Sequence, residues 1–421
     1  MVISKRRKIG VKMFRFPTVF FGSVFAACLL LFIGLTDRST NDGGSPNVLS
    51  FDVDIPSLLH NNKKKSISPK TEEDAPKVIT WNRNNSTDKF CVWFNFTKAT
   101  KESDFRSISL CTHGSIGYSK FVFDHAQNWD DRISVALLVD SAGFTALKTY
   151  LKLYKCMENT TEKVSTHLVW KSENETCSTS FILDALEEPL NATDFIDNCN
   201  VDDHIDAGLF NHSTTDLYYP NTLRNVAREG AGTELHLIAD IENHFSFNAS
   251  EILLEATKDI DKKSKIAVVV RRFEYNTSFD EPRTVKELYD LCRMHQAYQF
   301  HRFFYAIGHS VPGLPHWFRY SLNASTTPTL FPINYRSSIW EPQLIVHASA
   351  PYHYEGFSMK RDQCALPYEL CRAGYSFTVA SHAFSFHKGI KINSSSQKYS
   401  RFTVAKIARK TDIVQDVRQK K

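Results

Sequence analysis

The stretch Tyr219–Glu242 reads YPNTLRNVAREGAGTELHLIADIE. A helical pattern over Pro220–Glu229 leads into a short apolar segment, Leu235–Ala239, which ends on Asp240-Ile241-Glu242. Leu235, Leu237, Ile238 and Ala239 read as a buried strand, and open α/β sheets place their ligands beyond the carboxyl ends of such strands. Residues i and i+2 on a strand share a side, so Asp240 and Glu242 can face one hard cation. A divalent cation held in this way commonly bridges the phosphates of a bound nucleotide. Taken alone, a D-x-E tripeptide has a blander reading, a strand end capped by two solvated acids.

Working outward, Ser107–Cys111, Ile133–Val139, Val164–Trp170 and Ile266–Val270 have strand character, and Ala146–Tyr154 has helical character. Strands alternating with helices predict an α/β body with a mostly parallel central sheet. There is no internal repeat and no glycine-rich phosphate loop.

The 421 residues suffice for one large domain or two ordinary ones. The formal charge of +5 lies partly in the two ends, so nucleic acid is not an expected partner. Phe16–Leu35 is uncharged and mostly apolar, and at roughly 1.5 Å per helical residue it spans about 30 Å, one bilayer core. Lys5, Arg6, Arg7, Lys8, Lys12 and Arg15 precede it, which predicts a cytosolic amino end and a translocated remainder. A cleaved signal peptide would have a shorter apolar core and a small-residue cleavage site, so a retained anchor is expected. The resulting plan is a cytosolic tail (1–15), a transmembrane signal anchor (16–35), a polar stem (36–88), a catalytic body (89–395) and a basic tail (396–421).

N-x-S/T sequons start at eleven positions between Asn84 and Asn393, which suits a chain that meets the glycosylation machinery. Beyond Cys28, eight cysteines remain, none at zinc spacing, so structural disulfides are expected with their pairing left open. This plan fits a single-pass type II protein of the Golgi or endoplasmic reticulum with a lumenal body. It also fits a receptor ectodomain or a secretory hydrolase.

Two more segments bear on chemistry. Ser385–Lys391 (SFHKGIK) offers His387, whose neutral imidazole could complete a manganese site beside two carboxylates. Lys388 and Lys391 could balance a diphosphate, and Gly389 could let the backbone approach it; otherwise this is a surface turn. Trp340–Gly374 concentrates aromatics with Glu341, Glu355, Asp362 and Glu369. Such a mixture serves a sugar acceptor site in which one carboxylate deprotonates the attacking hydroxyl, or it is simply core.

The succession YPNTLRNVAREGAGTELHLIADIE, IWEPQLIV, YHYEGF, YELCRAGYSFTV and AFSFHKGIK, in that order, resembles glycosyltransferase family 49. These are glucuronyltransferases that build the laminin-binding glycan on α-dystroglycan. The resemblance covers roughly Ser107–Lys391. It implies a GT-A fold, a manganese-dependent UDP-sugar donor, a glycan or glycoprotein acceptor and inversion at the anomeric carbon. It places Asp240 and Glu242 on the family's D-x-D and His387 on its third metal ligand. Arg224 and Asn225 fall on the L-R-N helix near the nucleotide, and Trp340, Glu341 and Pro342 on W-E-P.

The chain also departs from that pattern. D-x-D has become D-x-E. The family's Y-D-E-R-F and the following glycine-containing turn are replaced by His353-Tyr354-Glu355-Gly356-Phe357 and Ser358–Gln363, one residue shorter. Glu355 is therefore the first choice for general base and Asp362 the second. A catalytically silent member that binds nucleotide, glycan or a partner enzyme is the competing reading, and a homodimer stays open.

Overall fold

In a computed structural model of the chain, the described residues are 77–83, 89–101, 107–172, 177–188, 196–212, 218–357 and 361–392. The expected tail 1–15, anchor 16–35 and basic tail 396–421 lie outside them. Among the described residues no helix is long and apolar enough to cross a membrane.

Among the described residues, twelve strands form one sheet: β1 (Lys77–Trp81), β2 (Phe90–Thr97), β3 (Ile108–Ser115), β4 (Ile133–Leu138), β5 (Val164–Lys171), β6 (Leu235–Ile238), β7 (His244–Phe245), β8 (Ile266–Tyr275), β9 (Ala297–Gln299), β10 (Leu330–Ile333), β11 (Gln343–His347) and β12 (Ser376–Lys388). The main order is β1-β2-β5-β4-β3-β6-β11-β8-β12-β10, with β7 on β12 and β9 on β8.

The sequence expectation of an α/β body holds, but the sheet is mixed rather than mostly parallel. The run β5-β4-β3-β6 is parallel throughout, as is β8 with β12. The other pairings, β11 with both neighbours among them, are antiparallel. The parallel strands are those fed by long crossovers, which the alternating helix and strand pattern could reveal. The antiparallel pairings follow from no helix and strand alternation and so carry no such signal.

The stem boundary also moves. Lys77–Trp81, assigned to the stem, pairs in register with Phe90–Phe94 and places Trp81 in the core. Its alternation was masked by the polar residues on both sides.

Side-chain alternation explains how the sheet is covered. On β4, Ile133, Val135 and Leu137 face a core that holds Phe123, Trp129, Leu147 and Tyr150. Ala136 and Leu138 face the opposite layer, where Leu223, Val226 and Ala227 of the Pro220–Gly230 helix pack with Trp81 and Phe90. A third core, with Phe273, Trp317, Trp340 and Phe384, underlies β8, β11 and β12. Each fully buried aliphatic or aromatic side chain contributes about 1.5–3 kcal/mol.

Two disulfides, Cys91–Cys177 and Cys156–Cys199, tie the amino-terminal half, while Cys111, Cys292, Cys364 and Cys371 are free. The expectation of structural disulfides thus holds for half of the eight cysteines outside Cys28.

The Pro220–Gly230 helix docks through one buried polar chain. The backbone N–H of Asn95 donates to His167 Nδ1 (3.0 Å), His167 Nε2 lies 2.9 Å from Ser134 Oγ, and Ser134 Oγ donates to the Ala227 carbonyl (2.6 Å). The imidazole is neutral, because burial pulls its pKa down to about 3. Gly230 allows the close approach, since a Cβ there would stand 2.1 Å from His167 Nε2. Gly230→Ala should therefore lower stability by about 1–3 kcal/mol, the range for overpacking a filled core. Gly232→Ala, whose Cβ would meet nothing within 4 Å, should stay within about 0.5 kcal/mol. Denaturant unfolding of the two variants checks the contrast.

Candidate active site

β6 ends at Ile238, and the Ala239 N–H still donates to the Cys111 carbonyl (3.1 Å), so Asp240 is the first side chain released at the strand's carboxyl end. Its carboxylate is surrounded. Arg224 Nη2 donates to Oδ1 (3.0 Å) and Arg272 Nη2 to Oδ2 (3.2 Å). Gln363 Nε2 reaches both oxygens (3.1 and 3.0 Å), and His113 Nε2 stands 3.6 Å away. Burial alone would raise the pKa of Asp240, but the nearby imidazole and the two guanidiniums hold it well below the usual carboxylate range.

Each cation is itself positioned. Arg224 lies on the Pro220–Gly230 helix, where Nη1 donates to Asn221 Oδ1 (2.8 Å) and Asp362 Oδ2 (2.7 Å). Burial opposes its charge, while Asp362 and then Asp240 raise its pKa. Arg272 leaves β8 with its guanidinium 3.9 Å from the centre of the Phe300 ring. His113 on β3 pairs through Nδ1 with the Tyr218 hydroxyl (2.5 Å).

The predicted residues separate into two groups. Asp240, Arg224 and Asp362 are joined directly. Glu355 is not in their cluster: its carboxylate is buried and accepts from Trp81 Nε1 (3.0 and 3.2 Å), Asn225 Nδ2 (2.7 Å) and Thr222 Oγ1 (3.3 Å). Three donors engage both of its oxygens, so as placed Glu355 ties its loop to β1 and to the Pro220–Gly230 helix, an anchoring role. Asn225 likewise binds Glu355 and the His353 backbone, not an open cleft. Asp362 is committed to Arg224, which makes it a positioning residue.

The lysines fall outside this centre. Lys388 Nζ pairs with Glu281 at the surface (2.6 Å), and Lys391 Nζ sits 4.2 Å above the Phe304 ring. Gly389 takes φ +87°, and a Cβ there would meet nothing within 4 Å, so the turn after β12 selects glycine by conformation rather than by close approach.

Glu242 and His387 lie close enough to Asp240 to feel its charge. Burial raises the pKa of Glu242 and Asp240 adds to the rise, while burial lowers His387 toward the neutral form. These are suitable donors for a borderline divalent cation. The expected triad is nevertheless not assembled: among the described residues no three His, Cys, Asp or Glu side chains gather as a metal-binding group. Two guanidiniums occupy the carboxylate that would have to lead such a group. As placed, the residues do not fit a metal.

Sequence reasoning missed Arg272, Gln363, His113 and His309. A usable signal existed for the first, because Arg271-Arg272 follows the apolar run Ile266–Val270 just as Asp240 follows Leu235–Ala239. Glu341 is a further buried acid near the centre, facing an imidazole rather than a guanidinium. Its Oε2 is 3.6 Å from His309 Nε2, and burial together with Asp362 pushes its pKa up to about 7. The space beside Asp240 is only about 20 Å³, room for a water and not for a sugar.

Comparison with known proteins gives a consistent class. Residues 107–420 match the family described as "Glycosyl-transferase for dystroglycan". Beta-1,4-glucuronyltransferase 1 of Danio rerio is 28% identical over 185 residues, 42% of each chain. The proteins of that name from Bos taurus and Homo sapiens are each 25% identical, over 329 and 324 residues, with 73% of each chain covered. The crystal structure of S. aureus TarS aligns with a TM-score of 0.31 and 11% identity over 67% of this chain and 37% of that one. That structural likeness is too loose to build on.

The assignment of Glu355 has a direct check. Glu355→Gln should lower unfolding stability by about 1–3 kcal/mol, the effect of leaving buried donors unpaired, with the activity per folded molecule retained. Full folding with lost activity would return Glu355 to the chemistry.

Proposed function

The chain belongs to glycosyltransferase family 49, and we propose that it transfers a sugar, glucuronic acid in the first instance, from a UDP-sugar to a glycan acceptor with inversion. The observation that carries this reading is the pair of buried guanidiniums, Arg224 and Arg272, clamped on Asp240 at the carboxyl end of β6. Two fixed cations beside one acid suit a departing diphosphate, whose charge grows as the bond to the sugar breaks. A GT-A arrangement agrees with the parallel run β5-β4-β3-β6 ending at this point.

In this reading the acceptor hydroxyl oxygen bonds to the anomeric carbon while the bond from that carbon to the diphosphate oxygen breaks. The electron pair leaves on UDP, where Arg224 and Arg272 balance it. The hydroxyl proton passes to a carboxylate, and Glu341 is the acid best placed to receive it. A pKa near 7 matches a base that must be free at neutral pH yet strong enough to accept. Asp362 holds Arg224 in place.

Manganese is part of the family expectation. With Asp240 engaged as described, no step here passes through a metal. Asp240, Glu242 and His387 would form its site only if Asp240 exchanged its present partners.

Membrane anchoring through 16–35 and a lumenal Golgi location complete the proposal. The two disulfides support an oxidising compartment. A second reading, a silent nucleotide-binding member, is favoured by the roughly 20 Å³ left beside Asp240 and by the D-x-E.

Assay of the full chain with a panel of UDP-sugars, with and without Mn²⁺, should show UDP release that depends on a glycan acceptor. UDP binding with no turnover of any UDP-sugar would instead establish the silent reading. The rate should rise with pH through about 7, as Glu341 loses its proton. Glu341→Gln should remove that limb and slow transfer by about 10²–10⁴-fold, the usual contribution of a positioned base. An unchanged pH profile in that variant would exclude Glu341.

A further inference from the structure

Arg271 and Arg272 are consecutive on β8, so their side chains leave the sheet on opposite faces. Arg272 serves Asp240; Arg271 has no carboxylate paired with it among the described residues. It is 3% exposed, and two of its N–H groups donate to main-chain carbonyls, Nη1 to Val311 (2.9 Å) and Nη2 to Pro312. Its Nε is buried without a partner, and the guanidinium lies 5.7 Å from the Trp317 ring centre. Burial with no compensating acid pulls its pKa down to about 9. A buried cation left in this condition destabilises the fold unless an anion completes it.

The guanidinium lines a groove of about 510 Å³ whose other walls include Gly313, His316, Phe331 and Asn334. That volume lies within the range of small-ligand sites. The helix Leu314–Ser321 starts at the groove with Gly313 as its N-cap, at φ +77°, with no side chain capping its first turn. Its free N–H groups and dipole reinforce the positive potential. Gly313 lies beside the cation, where a Cβ would stand 3.9 Å from Arg271 Nη2, and its positive φ favours glycine. Across the groove the exposed His316 ring packs edge-on against Phe331 at 4.9 Å, and Tyr320 packs on Phe331 at 5.0 Å. These aromatic faces suit the C–H surface of a sugar ring.

We infer that this groove is a second saccharide site, separate from the donor centre, which binds a uronic-acid residue by its carboxylate on Arg271 and its ring against Phe331 and His316. The choice of a saccharide rests on the glycosyltransferase reading, whereas the anion requirement rests on Arg271 alone. Such a site would hold an acidic sugar of the glycan chain away from the reacting end.

The test is direct binding of the full chain, measured by calorimetry without a donor, so that turnover plays no part. The probes are a glucuronate-terminated disaccharide, the matching glucose-terminated disaccharide and inorganic sulfate. The acidic disaccharide should bind saturably. Arg271→Met and His316→Glu should each weaken it by roughly 10–100-fold, the value of a charge-assisted hydrogen bond. Arg272→Met should leave it unchanged. His316 is exposed, so its variant stays informative if Arg271→Met fails to fold. Equal binding of both disaccharides, unchanged binding by His316→Glu, or binding of sulfate as tight as that of the acidic disaccharide would each overturn the inference. Loss of transfer with this binding intact would instead count against the donor-site reading.

Discussion

The Arg224 guanidinium, buried between two carboxylates, is the contact on which the centre depends. One side of it faces Asp240 at the end of β6 and the other faces Asp362 at the start of the Asp362–Arg372 helix. A charge in that position is tolerable only because both acids answer it. The Pro220–Gly230 helix is therefore more than a cover for the sheet. It carries the cation that joins a strand end in one part of the chain to a loop more than a hundred residues later.

The same helix organises its surroundings through Asn225 and Arg228 as well. Asn225 holds the His353 backbone in both directions and donates to Glu355, while Arg228 donates to the Ala350 and Pro351 carbonyls. Glu355 then reaches Trp81 on β1, so the first described strand is bound to the loop that carries the centre's other half. The described residues of the segment that departs most from the family pattern, 353–357 and 361–363, are thus held by polar contacts. Its altered residues supply anchors, including the Gln363 amide on Asp240.

Much of the architecture could be read from the residues. Every strand and helix assigned in the parallel half is present, because Ile133–Val139 and Ile266–Val270 are almost wholly apolar and Val164–Trp170 is rich in β-formers. β1, β2, β11 and β12 carry weaker or mixed signals. In FCVWFNFT and SFTVASHAFSFHK aromatic and polar residues interleave, and such strands are specified by long-range partners. At the centre, Asp240 is legible as the acid at a strand's end, whereas Arg224, in the middle of its helix, is singled out by the family resemblance alone. The surroundings of Glu355 are not legible, because sequence shows an acid in a loop but not the three donors folded around it. The metal triad rests on strand alternation for Asp240 and Glu242 and on the family resemblance for His387, and neither carries information about which cations compete for the same oxygens.

The back-to-back arginines of β8 impose a condition on how this gene can change. Because neighbouring strand residues point to opposite sides, inserting or deleting one residue in Ile266–Tyr275 would send each guanidinium to the wrong face. The donor clamp would lose its cation in the same event that emptied the groove behind it. Length variation in relatives should therefore fall in the turns that flank this strand, and its frame should drift only in chains that have given up both cavities together.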